Sequence, residues 1–428
     1  VDAMTTMTIN ATSVDALDGI AQSTTNPSYY AYSSASKPGL LFHTDREFAA
    51  PCVSSAASTA SANNFLKGVQ VSPDGLCVLT NSEDNVLRLF ETAYGDEKAL
   101  QPAADQSPAS ILQAKEGGAV YDFAWYPYMT SQDPATCIFV STSRDHPVHM
   151  WDAYNGQLRA TYRAFDHLVE ITAGYSVAFN GTADKIFVGY DRAIRYFDIS
   201  QPSRDFQTRA LCKTRRSRRG QRGIISSIHF NPDHSRIYAA GSYSGSTCIY
   251  SEDTGEELLA IRDHDGKGIT QVRFSVDGRY LFTAARKDAR IQCWDIRQTR
   301  EIVHTFHRLA DTNQRMAFDL HCAGRYLATG SQDGKVLLYD LTTGDLVDDR
   351  VRLPDAANGV SFFPDAYRAR VAVSSGQRHF DLHDNLDDED SDSEHQAALT
   401  ASSSEAAVRN VLRVYEYGAD VPNDTVAP

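Results

Sequence analysis

The sequence lacks the features that mark a secreted, membrane-spanning or metal-binding protein. Its seven cysteines are scattered singly, which excludes a disulfide framework and a paired-cysteine zinc site and favours a reducing compartment. No apolar run approaches the roughly 18 residues of a transmembrane helix. No charged-then-apolar start indicates a signal peptide. We therefore expect no bound metal and no membrane partner.

Catalytic motifs are also missing. The chain has no glycine-rich phosphate loop, no nucleophile elbow and no paired His or Cys motif. Carboxylates come in pairs only in turns and in one acidic tract. A fold by itself does not exclude catalysis, but these absences favour a binding protein that is not an enzyme and that uses no cofactor.

Positive charge is scarce overall, because the net charge at pH 7 is −14. Half of that excess comes from Asp384–Glu394, which contains seven acidic residues and no basic one. A negative total argues against indiscriminate nucleic-acid binding. We predict disorder for an acidic insertion at about 380–407 and for residues 1–36, which contain few large apolar residues. The acidic tract is either a solvating spacer or a phosphorylation site at Ser391 and Ser393.

The most informative pattern is a repeat centred on Phe282–Gln298. Apolar and polar residues alternate from Arg290 to Ile296, with the period of two that is typical of a strand. A turn at Lys287 and Asp288 precedes this strand, and Trp294-Asp295 ends it. This order is the signature of a WD40 propeller blade of about 40–45 residues.

The unit recurs seven times, each time with a turn residue six positions before an aromatic residue. The pairs are Asp84 with Phe90, Asp145 with Trp151, Asp191 with Phe197, Ser244 with Tyr250, Asp288 with Trp294, Asp333 with Tyr339 and Arg409 with Tyr415. We predict an all-β, seven-bladed WD40 β-propeller over residues 37–428, because each blade needs neighbours on both faces. Residues 39–49 are expected to form the outermost strand of the last blade, so that N- and C-terminal strands join to close the ring. Residues 95–117 are predicted to be an insertion.

Several polar residues in these repeats are predicted to be structural. In the fifth repeat we expect His264, Asp288 and Trp294 to form one buried network. A buried polar group without a partner costs about 1–3 kcal/mol, so such a network favours stability over catalysis. Asp145 and Trp151 in the second repeat and Asp333 in the sixth are also expected to be structural residues.

Cations are predicted to collect on one face of the ring. The loops before the innermost strands and the turns between second and third strands share that face. The candidate residues there are Lys67, Arg144, Arg192, Arg222, Lys267, Arg286, Lys287, Arg315 and Arg378, with Tyr121 and His167 as stacking partners. Cations mixed with aromatic rings favour structured RNA, whose phosphates need charge and whose unpaired bases need stacking. The alternative for Tyr121 is packing between blades.

One connection, Cys212–Gly223, is strongly basic. It carries the candidate phosphate-binding residues Arg215, Arg216, Arg218, Arg219 and Arg222. Guanidinium groups suit bidentate phosphate recognition. A solvated loop and a nuclear localisation signal are the alternatives.

Nine runs of the sequence resemble one particular family. They are NFLKG (64–68), LTNSEDNVLRLF (79–90), VYDFAWYP (120–127), STSRDHPVHMWDAYNGQLRATYRAFDHL (141–168), GIISSIHFNP (223–232), AAGSYSG (239–245), AARKDARIQCWDIRQ (284–298), TNQRMAFDL (312–320) and SGQR (375–378). This combination is similar to the telomerase Cajal body protein 1 family, whereas a generic WD40 protein shares only the Trp-Asp endings. We expect the family's long N-terminal region to be short or missing here.

The resemblance implies a scaffold that recognises the CAB-box loop of small Cajal-body H/ACA RNAs and, in many animals, of telomerase RNA. It implies partnership with H/ACA proteins such as dyskerin and folding by the cytosolic chaperonin. It also implies a nuclear location in Cajal bodies with a cytoplasmic folding pool; we expect a monomer. The alternative is a protein-interaction propeller associated with spliceosomal ribonucleoproteins, which binds a peptide in the central channel.

Overall fold

The fold is a ring of antiparallel sheets. The computed structural model describes residues 37–45, 47–48, 63–92, 107–165, 170–202, 205–212, 220–262, 264–299, 301–378 and 410–418. In these residues the chain forms 28 strands in seven four-stranded sheets, with one 3-10 turn at His264–Gly266. The predicted all-β, seven-bladed propeller is confirmed.

Each blade takes four strands in sequence order, except the last. The N-terminal strand is β1 (Gly39–Thr44). Blade 1 contains β2 (Leu66–Val71), β3 (Cys77–Ser82), β4 (Val86–Glu91) and β5 (Leu112–Lys115); blade 2 contains β6 (Val120–Trp125), β7 (Ile138–Ser143), β8 (Val148–Asp152) and β9 (Leu158–Tyr162). Blade 3 contains β10 (Ser176–Phe179), β11 (Lys185–Gly189), β12 (Ala193–Asp198) and β13 (Gln207–Ala210); blade 4 contains β14 (Ile225–Phe230), β15 (Ile237–Ser242), β16 (Ser246–Ser251) and β17 (Glu257–Ile261). Blade 5 contains β18 (Ile269–Phe274), β19 (Tyr280–Ala285), β20 (Arg290–Asp295) and β21 (Ile302–His307); blade 6 contains β22 (Phe318–Leu320), β23 (Tyr326–Gly330), β24 (Lys335–Asp340) and β25 (Leu346–Arg352). Blade 7 contains β26 (Ala357–Phe362), β27 (Ala369–Ser375), β28 (Leu412–Tyr417) and β1.

The repeat aromatics occupy one structural position. All seven lie in the third strand of their blade: Phe90, Trp151, Phe197, Tyr250, Trp294, Tyr339 and Tyr415. The second strands are almost fully buried, as in β3, β7 and β27, because neighbouring blades cover both of their faces. The free thiols of Cys77, Cys137, Cys248 and Cys293 are buried in or beside the second and third strands, as small core residues.

The ring closes through its N-terminal strand, as predicted. β1 pairs antiparallel with β28, with Leu40 opposite Tyr415 and Thr44 opposite Leu412. Beyond β1, Phe48 is fully buried, and its ring centroid lies 6.0 Å from that of Phe90 in blade 1. The N-terminal segment therefore joins blade 7 to blade 1.

Polar side chains on the innermost strands link neighbouring blades around the channel. Between blades 2 and 3, the amide of Val177 donates to Asp122 at 3.0 Å; between blades 6 and 7, the amide of Phe362 donates to Asp319 at 2.8 Å. Similar links run from Gln70 to the Phe123 carbonyl, from Ser176 to the Ile225 carbonyl, from the Val272 amide to Ser227, between Gln271 and Phe318, and from the Val71 amide to Ser361. Neighbouring blades are thus held together by hydrogen bonds as well as by apolar packing.

In the fifth blade, His264, Asp288 and Trp294 lie in one network. His264 is 1% exposed, and its Nδ1 lies 2.9 Å from Asp288 Oδ2. Its Nε2 lies 2.9 Å from the Thr283 hydroxyl, which also accepts a hydrogen bond from Trp294 Nε1 at 3.1 Å. Thr283 therefore connects the histidine to the tryptophan, a role that the sequence reasoning did not assign.

Asp145 and Asp333 do not enter a comparable buried network among the described residues, although Asp333 accepts a hydrogen bond from the Lys335 amide within its turn at 3.3 Å. In blade 2, Asp145 itself adopts the left-handed conformation (φ 60°), and its side chain is 83% exposed. In blade 5 the left-handed residue is Lys287, and the side chain of the next residue, Asp288, is buried. Asp333 is exposed in its turn. The shared spacing of six residues hides this one-position difference in turn geometry.

Different residues occupy the interior of the other blades. In blade 2, Glu116 accepts hydrogen bonds from Ser143 at 2.8 Å and Trp151 at 3.2 Å, and it lies 2.9 Å from His149 Nδ1. In blade 6, Arg308 is buried and donates to Thr329 at 2.8 Å. Both come from the connection before an innermost strand, as His264 does. Position in the fold, and not residue type, defines this role.

Replacement of Glu116 with Gln is expected to lower the free energy of unfolding by about 1–2 kcal/mol. Burial acts to raise the pKa of Glu116, but hydrogen bonds from His149, Ser141 and Ser143 outweigh it and lower the pKa. The native state therefore favours the carboxylate. A glutamine places an N–H donor against groups that also donate. Urea unfolding measures the effect, with the exposed Glu91→Gln as control; equal midpoints for both variants would contradict the assignment.

Two sequence predictions need comment. The segment 95–117 is not wholly an insertion, because β5 supplies the outermost strand of blade 1 from within it. This strand has only four residues and one buried side chain, so its alternation is too short to recognise. The segments predicted to be disordered, 1–36 and 380–407, lie outside the described residues. Among the residues that the model does describe, no helix is long and apolar enough to span a bilayer.

Candidate functional site

A cavity of about 1080 Å³ follows the central channel of the ring. At one end it is lined by Ser72 and Pro364, which follow the innermost strands of blades 1 and 7. At the other end it is lined by the loops that precede the innermost strands. This second end is the face on which the sequence places its cations.

Five of the predicted binding residues line this second end. They are Lys67, Tyr121, Arg286, Arg315 and Arg378, which come from blades 1, 2, 5, 6 and 7. Two further tyrosines, Tyr175 and Tyr243, line it from blades 3 and 4. We call these seven residues the channel mouth. The topology therefore brings together side chains that are separated by up to about 300 positions in the chain.

The remaining predicted residues that the structure describes do not line the cavity. Arg144 pairs with Asp145 at 3.4 Å and Arg192 pairs with Asp191 at 2.9 Å, each in the turn between the second and third strands of its blade. Lys267 Nζ donates to the carbonyl of Lys287 at 2.8 Å. The Arg222 carbonyl accepts a hydrogen bond from Ser244 at 2.7 Å. His167, Arg215, Arg216, Arg218 and Arg219 lie outside the described residues.

Two cations of the channel mouth share one carboxylate. Lys67 Nζ lies 2.7 Å from Glu83, and Arg378 also donates to Glu83. Partial burial acts to raise the pKa of Glu83, but these two cations outweigh it and the pKa is lowered. The Arg378 side chain is 59% exposed. Exposed ion pairs of this kind contribute only about 0–1 kcal/mol, so a phosphate group is able to replace Glu83 as their partner.

Arg315 differs, because its partner lies on a blade that is not its neighbour. Its Nη1 lies 3.2 Å from Asp122 Oδ1, so the ion pair links blade 6 to blade 2 across the channel. Burial raises the pKa of Asp122, and the Arg315 guanidinium opposes that shift. The sequence predicted a rim cation open to ligand; the structure shows a guanidinium that already bridges the mouth.

Arg286 stacks on an aromatic ring. Its guanidinium carbon lies 4.5 Å from the centroid of Tyr243. Its Nε is buried without a hydrogen-bond partner among the described residues. Tyr243 lies in the turn between β15 and β16, inside the run AAGSYSG, and its side chain is 38% exposed. The sequence reasoning missed Tyr243, although the turn position was a usable signal.

Tyr121 and Tyr175 also contact each other. Their ring centroids are 5.2 Å apart with planes inclined at 37°. Burial and the neighbouring Tyr175 raise the pKa of Tyr121, which keeps its hydroxyl neutral. Tyr175 was missed because it lies before the short strand β10, where no repeat feature marks it.

Trp125, by contrast, belongs to the core. It is 7% exposed and its ring centroid lies 5.7 Å from that of Phe139. Its Nε1 donates to the Gln70 carbonyl at 3.4 Å. The described residues contain no group of three or more His, Cys, Asp or Glu placed to hold a metal ion. The channel mouth therefore offers guanidinium, ammonium and phenol groups, and three of its four cations are paired with the carboxylates of Glu83 and Asp122.

Comparison with known proteins identifies the repeats and the family. The model of the WD domain, G-beta repeat matches residues 212–251, 255–295 and 303–340, which is a structural repeat and not a catalytic domain. Telomerase Cajal body protein 1 of Mus musculus is 39% identical over 372 residues, 84% of this chain and 66% of the relative. The Homo sapiens protein of the same name is 41% identical over 327 residues, 74% of this chain and 58% of the relative.

A more distant relative matches a similar stretch. The Drosophila melanogaster telomerase Cajal body protein 1 homolog is 33% identical over 341 residues, 76% of this chain and 59% of the relative. The chain thus spans about three fifths to two thirds of the length of these relatives. With seven WD40 blades and this identity across them, the chain belongs to the telomerase Cajal body protein 1 family.

Proposed function

We propose that this protein is a non-enzymatic scaffold that binds a small structured RNA at the channel mouth. The observation that carries the proposal is the convergence of Lys67, Arg286, Arg315 and Arg378 on one opening, in a chain whose net charge is −14. A local cluster of cations in an acidic protein favours a defined polyanion over indiscriminate binding. Three tyrosines at the same opening add stacking surfaces.

Family membership supports a more specific ligand. The relatives are named for telomerase and for the Cajal body. We propose that the RNA is an H/ACA-type small Cajal-body RNA, recognised through its CAB-box loop, with telomerase RNA as a further ligand. The protein would then act in Cajal bodies, with H/ACA proteins such as dyskerin as partners and the cytosolic chaperonin as its folding assistant.

Replacement of Lys67 and Arg378 with Gln is expected to weaken RNA binding at least tenfold. Each lost phosphate contact also lowers the slope of log Kd against log salt concentration by about 0.7–0.9. Fluorescence anisotropy with an H/ACA hairpin that carries a CAB-box loop, measured between low and moderate salt, gives both quantities. The two residues share only the partly exposed Glu83, so little loss of stability is expected.

A matched control uses the opposite face. Arg279 and Arg297 are exposed, and each is paired with a nearby aspartate, Asp277 and Asp295 respectively, in loops at the other end of blade 5. The double variant Arg279→Gln/Arg297→Gln removes the same charge and is expected to bind RNA as the wild type does. Equal weakening by both double variants would show that net charge, and not the channel mouth, determines binding.

A further inference from the structure

The channel mouth has two chemically different sides. Tyr121, Tyr175 and Tyr243 come from the consecutive blades 2, 3 and 4, and Arg286 follows from blade 5. We call these four residues the tyrosine arc. Lys67 and Arg378 line the same cavity from blades 1 and 7. An RNA that enters this opening therefore meets rings along one side and cations along the other.

The rings of the tyrosine arc remain accessible. Tyr121 and Tyr175 are partly exposed and contact each other at an open angle of 37° between ring planes. Tyr243 is partly exposed as well, with the Arg286 guanidinium 4.5 Å from its centroid. These aromatic side chains are not enclosed in a core cluster, unlike Trp125, which packs among the buried residues of blades 1 and 2. Exposed aromatic faces and guanidinium planes are the surfaces on which unpaired bases stack.

Unmet hydrogen-bonding groups lie in the same cavity. Asn81 is 4% exposed and lines the cavity, and its Oδ1 has no partner among the described residues. The buried Nε of Arg286 is likewise unpartnered there. A buried polar atom without a partner costs about 1–3 kcal/mol, so a ligand that carries both donors and acceptors would recover part of this cost. Nucleobase edges carry both.

The size of the cavity agrees with such a ligand. Its volume of about 1080 Å³ slightly exceeds the roughly 300–1,000 Å³ that is typical of small-ligand pockets, so a single base has room to enter. A base pair inside a duplex cannot enter, because its faces are covered by neighbouring base pairs. A base in a single-stranded loop is able to enter.

We infer that the tyrosine arc binds an unpaired nucleobase inside the channel mouth, while the flanking phosphates contact Lys67 and Arg378. This inference rests on the proposed RNA-binding function and adds to it the class of nucleotide that the channel selects. The cations supply affinity for any RNA of sufficient charge. The tyrosine arc supplies the preference for a loop over a duplex, because only an unstacked base offers its face.

The test uses two RNAs with equal numbers of phosphates and two protein variants. One RNA is a hairpin with 2-aminopurine at successive unpaired loop positions; the other is a blunt duplex. The protein variants are Tyr175→Leu/Tyr243→Leu, which removes two rings, and Tyr175→Phe/Tyr243→Phe, which retains them. Thermal melting establishes that both variants are folded.

The wild type is expected to lower 2-aminopurine emission at one loop position through stacking. The leucine variant is expected to bind the hairpin at least tenfold more weakly, with an unchanged salt slope and unchanged duplex binding, since stacking contributes about 1–3 kcal/mol per base. The phenylalanine variant is expected to bind within twofold of the wild type.

Two different results would overturn the inference, and only one of them would also overturn the proposed RNA-binding function. Wild-type affinity of the leucine variant, with weak binding by Lys67→Gln/Arg378→Gln, would refute base stacking and leave the proposed RNA function standing. Failure of the wild-type protein to bind either RNA would refute both, and would favour a peptide as the channel ligand.

Discussion

A variant that lacks residues 1–48 is expected to be unable to form a stable closed ring, whereas a variant that lacks only residues 1–36 keeps wild-type stability. The longer deletion removes β1, so β28 keeps its pairing with β27 but loses its outer partner and becomes an exposed edge strand. It also removes Phe48, which is fully buried against blade 1. Loss of a buried phenylalanine side chain alone costs about 3–5 kcal/mol.

The deletion also removes one of the partners of a buried cation. Arg88 is 7% exposed, and its Nε lies 3.0 Å from Glu47 Oε2. Asp84 remains as a second partner of Arg88, so this loss is smaller than that of Phe48. The summed cost is comparable to the whole stability of a typical folded protein, about 5–15 kcal/mol. We therefore expect aggregation or a loss of the cooperative transition.

Size-exclusion chromatography and urea unfolding of the two deletion variants distinguish these outcomes. The shorter deletion is the matched control, because it removes most of the same N-terminal segment and leaves β1 in place. A monomeric longer deletion variant with the urea midpoint of the shorter one would show that β1 is dispensable for closure.

Replacement of Asp288 with Ala is expected to lower the free energy of unfolding by about 3 kcal/mol or more. The Asp288 side chain is 3% exposed and contacts His264 at 2.9 Å, and it accepts from the Arg290 amide at 3.0 Å. Its removal takes away the Asp288 contact of the buried His264, and truncation of one member of a buried pair typically costs about 3–5 kcal/mol. The exposed Asp333→Ala is the control, with an expected change within about 0.5 kcal/mol.

The same residue predicts a dependence of stability on pH. Burial acts to raise the pKa of Asp288, but hydrogen bonds from Arg290 and His264 outweigh it and hold the pKa well below its ordinary value. Because the pKa of Asp288 is lower in the folded state, its ionisation stabilises the fold. This stabilisation is complete above the pKa of about 3.9 in the unfolded chain, and it is lost as the pH falls from there through the pKa in the folded state. Urea midpoints between pH 6 and pH 3 should therefore fall less steeply for Asp288→Ala than for the wild type. Parallel curves would contradict this assignment.

The repeat architecture was predictable because its signal is periodic. Trp151, Phe197 and Trp294 end third strands that must be apolar, since both faces of each blade are covered. The same logic located β1 in blade 7, because a ring cannot close without a last outer strand. β5 escaped prediction since its four residues are mostly exposed.

The candidate site was predictable only in part. Lys67 and Arg315 were recognised as loop cations, but their ion pairs with Glu83 and Asp122 depend on which blades face each other across the channel. The position of Asp145 could not be predicted from the sequence either, although it depends only on the conformation of its own turn. One left-handed residue in a turn decides whether an aspartate points into the blade or into solvent.

The amino-acid sequence by itself determined the number of blades, the positions of their third strands and the family, because these follow from local periodicity and from runs of similar residues. Only the tertiary structure decided that Tyr175 and Tyr243 join Tyr121 at one opening, and that Arg315 bridges it. The physical reason is that ring closure brings the starts of all seven innermost strands around a single axis. Contacts across that axis join residues that no local pattern connects.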